Sequence, residues 1–268
     1  MKRCAGLIWE LNSSRFFLGN SLVFQGRWKD LGHRLERWLD DARARGDVFA
    51  LSSFQMLEAR CVTLAAGDVD RARNEIERDV NVLPTKSLGV QKFLIEISKV
   101  QLEMYDAKPR LAVERIEQLW TEFSRSTMPR FQLCRIYLHY HSGFAYLIWA
   151  ASQNDRQREE ALHQASYHAS RLEKESVAWA TPFASYIRAA VANLQGDKEA
   201  SMVGLKQAVA GFDQTHMRMY GEATRRRLGQ LIGGVQGDAL VTTAETIFSE
   251  QGVAEPARFA SIMAPGFN

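Results

Sequence analysis

The stretch SLGVQKFLIEISKVQLEMY, residues 87–105, decides the fold class of this chain. Its large apolar side chains recur every three or four positions, and its charged and amide side chains fall on the opposite side. This spacing is typical of an amphipathic α-helix, which has about 3.6 residues per turn. The next stretch begins at Pro109, which suits the first turn of a helix because it lacks the N–H that would stay unpaired there.

The same periodicity extends over the rest of the chain, and no segment alternates with period two for long enough to predict a strand. The sequence therefore predicts an all-α protein of about six helical pairs. The predicted helices are 3–24 and 27–45, 48–66 and 69–81, 87–106 and 109–125, 130–153 and 156–174, 178–195 and 198–213, and 216–232 and 238–251.

The breaks between paired helices share a Gly-Asp signature, seen at Gly67-Asp68 and at Gly196-Asp197. Glycine can adopt the left-handed conformation that ends one helix, and aspartate can cap the N-terminus of the next. We therefore expect Gly67 and Gly196 to lie at the ends of their helices, with positive φ or close backbone packing.

An alanine follows each signature, Ala72 in one and Ala200 in the other, and we expect it to let the second helix pack tightly on the first. Together with breaks near residues 108 and 155, the signatures recur every 40 to 47 residues, a longer period than the ~34 residues of a tetratricopeptide unit. Such pairs bury their apolar faces by stacking into a solenoid with a concave face. We assign residues 1–235 to this repeat region and residues 236–268 to a terminal helix and capping tail.

The first predicted helix is apolar on almost every side and includes Phe16 and Phe17. A terminal repeat needs a polar outer face, so this helix has the composition of an interior repeat. We expect part of it to face outward, where it would support self-association or be covered by an upstream segment or a partner. The alternative is that the second helix and the loop before Asp47 enclose it completely.

Composition narrows the class of protein. The chain has 268 residues, of which 46% are hydrophobic and 24% charged, with a net charge of +3, so it is globular and too weakly basic to indicate nucleic-acid binding. Its three cysteines are widely spaced, which favours free thiols in a reducing cytoplasm. The uncharged stretch 136–154 contains histidine, serine and asparagine, so we interpret it as a buried helix and expect no membrane partner.

No catalytic motif is present, whether a nucleophile elbow, a phosphate-binding loop or a kinase signature, and we expect no cofactor. Glu160 and His163 match half of a di-iron motif, but no second copy accompanies them. His139 and His141 are two positions apart and point to different sides of a helix. An all-helical metal-dependent enzyme therefore stays an alternative only.

The densest basic cluster is Arg225-Arg226-Arg227, preceded by Arg218. A solvated helix face or an ion pair with Glu222 explains it better than a nucleic-acid site. Arg218, Arg225 and Arg226, with Phe16 and Phe17, are the candidate residues of an interaction surface.

Two features of the sequence resemble a known family. The turns ARARGD at 42–47 and GDKEA at 196–200 look like bacterial tetratricopeptide-like repeats. The tail QGVAEPARFASIMAPGF at 251–267 is similar to the extreme C-terminus of large multidomain serine/threonine protein kinases of planctomycetes and myxobacteria. In those proteins a kinase domain and a predicted ATPase module precede a long helical-repeat region. Neither module is present here, so the resemblance carries over no catalytic residue.

The resemblance implies a non-catalytic module that binds a protein or peptide, or senses a signal, for a serine/threonine kinase or ATPase signalling protein encoded in cis or nearby. A regulator that senses a small ligand or a peptide is a further alternative, which the sequence does not separate from protein binding.

Overall fold

The apolar stripes of the sequence fold into α-helices, as predicted. The computed structural model describes residues 7–80 and 89–267, and these two ranges contain no β-strand. Within them the α-helices are α1 (Ile8–Gln25), α2 (Trp28–Arg45), α3 (Val48–Glu58), α4 (Val69–Val80), α5 (Val90–Tyr105), α6 (Pro109–Ser124), α7 (Gln132–Ala151), α8 (Asp155–Lys174), α9 (Thr181–Leu194), α10 (Lys198–Gln214), α11 (Arg218–Ile232), α12 (Gly234–Glu250) and α13 (Pro256–Met263).

The two Gly-Asp turns have the predicted geometry. Gly67 has φ of 81° and Gly196 has φ of 88°, both in the left-handed region. A carboxylate oxygen of Asp68 accepts from the backbone N–H of Arg71 at 3.1 Å, and Asp197 accepts from that of Ala200 at 3.0 Å. These caps satisfy N–H groups that the first helical turn would otherwise leave unpaired.

The alanines that follow the turns differ. Ala72 is fully buried, whereas Ala200 is exposed, so the expected close packing at Ala200 is wrong. The buried face of α10 runs through Ser201 and Leu205, and position 200 lies beside it. The close approach of α9 and α10 falls instead at Gly204, where an added Cβ would lie only 2.8 Å from the Cβ of Ala189.

The helices pack in order along the chain. Each helix from α1 to α13 contacts its neighbour in sequence, and each of α1, α3, α5 and α7 also contacts the next odd-numbered helix. In addition α1 contacts α11, which brings the beginning and the end of the helical series together. We call α1, α3, α5, α7, α9 and α11 the inner helices.

The predicted helix 48–66 is interrupted by a π-helical segment, Ala59–Thr63, directly after α3. The backbone N–H of Leu64 donates to the carbonyl of Ala59, five residues back, at 2.9 Å. Single π-turns within α-helices are frequent at functional sites. This one carries Arg60 and Cys61.

The tail forms a short helix rather than a simple cap. Residues 253–267, which include α13, make up what we call the C-terminal segment. Residues 262–267 are all buried, and α13 contacts α5, α11 and α12. The predicted division at residue 235/236 falls in the first turn of α12, which packs directly on α11.

None of the helices in the described ranges combines the length and the apolar character that crossing a membrane would require.

Candidate functional site

The C-terminal segment lies among side chains of the inner helices and of α2. Phe259 is 4% exposed, and its ring centroid is 5.2 Å from that of Trp28 and 5.9 Å from that of Tyr105. The guanidinium of Arg258 lies over the ring of Tyr105 at 4.1 Å. The segment thus supplies both an apolar anchor and a cation–π contact to the interior.

Three successive backbone carbonyls of the segment, at residues 264–266, accept hydrogen bonds from side chains of α9 and α11. The first accepts from Arg227 Nε at 2.8 Å, the second from Tyr186 Oη at 2.6 Å and the third from Asn193 Nδ2 at 2.9 Å. Every peptide offers such carbonyls, so these contacts hold the chain through its backbone without reading its side chains.

A cavity of about 30 Å³ lies beneath the segment, enough for roughly two water molecules. We call it the inner cavity. Phe259, Ile262 and Met263 of the segment form part of its wall. The polar side chains that line it come from the inner helices and the π-helical segment: Arg60, Cys61, Gln101, Tyr140, His141 and Tyr220.

Arg60 is the main charge of this cavity. It is 8% exposed, its Nε has no hydrogen-bond partner, and no carboxylate of the described ranges forms an ion pair with it. The Arg60 side chain is hydrogen-bonded to Cys61 and Tyr137, and the phenols of Tyr140 and Tyr220 also lie near its charge. All four are neutral at physiological pH, because burial raises the pKa of the Cys61 thiol and of each phenol. A buried guanidinium stays protonated, so its charge has no counter-ion.

His141 brings a hydrogen-bond acceptor to the same cavity. Its Nδ1 lies 2.8 Å from the carbonyl oxygen of Tyr137, to which it donates, and its Nε2 is buried without a partner. Burial lowers the pKa of His141 to about 3, so the ring is neutral and Nε2 carries a lone pair. The buried Oε1 of Gln101 is a second unpartnered acceptor.

A second pair of buried imidazoles is hydrogen-bonded to each other. His139 Nδ1 and His168 Nδ1 are 3.0 Å apart, so one ring donates to the other. Trp120 lies against both rings, with centroids 4.9 Å from His139 and 5.7 Å from His168. Burial lowers the pKa of His139 to about 4 and of His168 to about 3. These rings form a neutral structural pair.

The residues considered for a metal site do not converge. Glu160 and His163 are both exposed on α8, whereas His139 and His141 have the separate partners described above. Across residues 7–80 and 89–267, no three side chains of His, Cys, Asp or Glu form a group that could hold a metal ion.

The predicted basic surface is divided by the fold. Arg218 is exposed, and Arg225 forms ion pairs with Glu222, at 2.9 Å, and with Asp213. Arg226 is only 8% exposed and binds Glu245 of α12 at 2.8 Å, so its place on an interaction surface is a correction to the sequence analysis. It is buried because this side of α11 packs on α12.

Helix α1 does present apolar side chains outward. Phe17 and Trp9 are each 61% exposed, whereas Phe16 is partly buried against the core. The ring of Trp9 lies 5.0 Å from that of Phe49, which is itself exposed. The apolar surface of α1 therefore continues onto α3.

None of the residues that line the inner cavity or hold the segment was predicted as a site residue from the sequence, although His141 and Arg227 were considered for a metal site and a basic cluster. Arg60 had one weak signal, since it is the one basic residue inside a mostly apolar run, FQMLEARCVTLAA at 54–66. Tyr186 and Asn193 had none, and Arg227 stood out only as part of the basic cluster, because their partners are backbone atoms distant in sequence.

In comparisons with family models, with curated proteins and with solved structures, nothing matches this chain.

Proposed function

We propose that this chain is a helical-repeat module that binds a stretch of peptide along its inner helices and performs no chemistry of its own. The repeat character is supported by the contacts between successive odd-numbered helices and by the equal spacing of α3, α5 and α7, which begin at residues 48, 90 and 132. In stacked helix pairs, each unit contacts its neighbours in this way and leaves a concave face.

The observation that carries the proposal is the C-terminal segment itself. It is a stretch of the chain that occupies the inner face, with three successive carbonyls held by Arg227, Tyr186 and Asn193 and one aromatic anchor, Phe259. Backbone hydrogen bonds combined with a side-chain pocket are a recurring mode of peptide recognition. The segment serves as the peptide in cis, and a partner with a similar segment would compete with it.

The experiment uses the full chain with Phe259→Ala, which weakens the segment's own anchor, and a labelled peptide with the sequence of residues 251–267. Fluorescence anisotropy should show binding to this variant, and binding to the unmodified chain at least roughly tenfold weaker, because the attached segment competes at high effective concentration. Adding Tyr186→Phe and Asn193→Ala should abolish binding.

The matched control is Asn20→Ala. Asn20 Nδ2 also donates to a backbone carbonyl, that of Phe16 at 2.8 Å, but it lies on α1 and does not touch the segment. Peptide affinity equal in all variants, or absent in all, would contradict the proposal. Circular dichroism melts show which variants are folded.

We further propose that the natural partner belongs to a serine/threonine kinase or ATPase signalling protein in the cytoplasm. The support is the resemblance of the tail at 251–267, the same residues that occupy the inner face, and the two free, buried thiols Cys61 and Cys134. The test adds the chain to a purified kinase of this class and measures autophosphorylation. An autophosphorylation rate that stays unchanged at a saturating concentration of this chain would contradict this part of the proposal.

A further inference from the structure

The inner cavity contains polar groups that the C-terminal segment leaves unpaired. The segment presents Phe259, Ile262 and Met263 to the cavity, and none of these side chains can accept a hydrogen bond from a guanidinium. Arg60, whose side chain is hydrogen-bonded to the neutral Cys61 and Tyr137, therefore meets no anion in the segment. Buried charges in folded proteins are ordinarily paired, because an unpaired ion loses its hydration without compensation.

The missing group must be an anion of low charge. One guanidinium lines the cavity, and no second lysine or arginine does, so a singly charged group is balanced where a doubly charged phosphate is not. The small cavity volume, about 30 Å³, suits a carboxylate. A metal ion is disfavoured because Arg60 would repel it. The remaining acceptors, His141 Nε2 and Gln101 Oε1, can be met by a water molecule or an N–H that arrives with the carboxylate.

We infer that the inner cavity is a specificity site for an acidic side chain, so that the peptides that bind best carry Asp or Glu where the chain's own segment has Met263. This inference rests on the proposed function, since it names the peptide class for the same inner face. The C-terminal segment is then an incomplete occupant: its backbone is held, but its side chains leave Arg60 without a counter-ion. A peptide with a carboxylate at this position displaces the segment more readily than one with the segment's own sequence.

The experiment installs the carboxylate in the full chain and compares Met263→Glu with Met263→Gln, which has the same shape without the charge. At pH 7 we expect the unfolding equilibrium to favour the folded state roughly tenfold or more in M263E over M263Q, as expected of a charge-assisted hydrogen bond. The order should reverse when Arg60→Met is added to both, because the carboxylate is then buried without a partner. M263Q at least as stable as M263E with Arg60 intact would overturn the inference.

Two further measurements keep the test decisive if the variants with Arg60→Met fail to fold. The advantage of M263E over M263Q should disappear as the pH falls below the range in which a carboxylate ionises, since both side chains are then neutral. Acetate, compared with chloride at equal ionic strength, identifies the source of the carboxylate. If acetate raises the melting temperature of the unmodified chain while M263E gains nothing over M263Q, the cavity binds a free small anion and the assignment to a peptide is overturned.

The comparison of M263E with M263Q is made within the full chain, so it does not require a free peptide to reach the inner face. If the labelled peptide does not bind but M263E is still more stable than M263Q, the proposed function is contradicted and the carboxylate site is supported. If the labelled peptide binds but M263E is no more stable than M263Q, the proposed function is supported and the carboxylate site is contradicted.

Discussion

The two ends of the described chain are both rich in large apolar residues, but these residues are buried at the C-terminal end and partly exposed in α1. In the C-terminal segment, Phe259 is 4% exposed and Phe267 is 8% exposed. In α1, Trp9 and Phe17 are each 61% exposed. Composition alone would place both ends in the core.

The difference comes from what surrounds each end. The C-terminal segment lies among α5, α9, α11 and α12, and side chains from these helices reach its backbone as well as its apolar groups. Helix α1 contacts α2, α3 and α11, and the ring of Phe24 near its end lies 5.8 Å from that of Tyr137 in α7, whereas Trp9 and Phe17 stay exposed. Since α1 satisfies its own backbone, nothing but apolar contact would hold a partner there. The contrast is therefore between an end whose backbone and side chains are both held and an end whose exposed surface is apolar.

The largest effect on the free energy of unfolding is expected from the aromatic residues of the two ends, one buried and one exposed. Phe259→Ala should lower the free energy of unfolding by about 3–5 kcal/mol, because it empties a buried aromatic site among Trp28, Tyr105 and Phe248. Phe17→Ala should change it by less than about 0.5 kcal/mol, as surface substitutions usually do. Urea unfolding followed by circular dichroism measures both. Equal losses at the two sites would contradict the contrast.

Acidification should weaken the interior under the segment while leaving the surface of α1 unaffected. In the unfolded chain histidine binds a proton near pH 6.5, but burial lowers the pKa of His141 to about 3, so the folded chain keeps it neutral. The unfolded state then binds more protons between about pH 6.5 and pH 3, and stability falls as the pH falls through that window. The slope is at most about 1.4 kcal/mol per pH unit for each such histidine.

His139 and His168 contribute in the same direction, because burial also lowers the pKa of each, to about 4 and about 3. His141→Asn keeps a donor near the carbonyl of Tyr137 and should make the dependence less steep by one proton. His33→Gln, at an exposed position, is the control and should leave the slope unchanged. A flat profile between pH 6.5 and 4.5 would contradict this account of the interior.

A smaller effect is expected from the backbone contacts that distinguish the segment. Tyr186→Phe removes only the hydroxyl that donates to the carbonyl of Pro265 at 2.6 Å. It should cost about 1–3 kcal/mol, since the buried carbonyl loses its partner while the ring stays packed. The substitution should accelerate backbone hydrogen exchange in α13 more than in α8. Uniform acceleration across all helices would mean that the hydroxyl stabilises the whole fold rather than the docking of the segment.

Much of the fold could be predicted from the sequence because it depends on local signals. The helical pairs follow from apolar periodicity, and the turns at Gly67 and Gly196 follow from residues that can adopt positive φ and cap a helix. The turn signal is strong because each Gly-Asp pair acts on backbone atoms within a few residues. Helix α13 was missed since eight residues carry too little periodicity to predict a helix.

The candidate site could not be predicted in the same way. Arg60 stands out because no carboxylate lines the cavity around it, and the side chains that do line the cavity come largely from α5, α7 and α11, distant in sequence. The π-helical geometry at Ala59–Thr63 has no sequence signature comparable to a helix cap. By contrast, the ion pair of Arg225 with Glu222 was one of the two interpretations that the sequence left open for the basic cluster, because residues three apart on a helix are neighbours.

The smallest effect on stability, with a clear effect on association, is expected from Phe17→Ser. Because the ring is 61% exposed, its removal should leave the melting temperature nearly unchanged. Contiguous exposed apolar patches mark association sites, so the variant should be more monomeric by light scattering than the unmodified chain. Phe16→Ser is the matched comparison: Phe16 is partly buried against the core, so this change should lower stability instead. If Phe17→Ser leaves the molecular mass unchanged at every concentration while the unmodified chain self-associates, α1 is not the association surface. If Phe17→Ser unfolds the chain, its ring belongs to the core and the contrast between the two ends is lost.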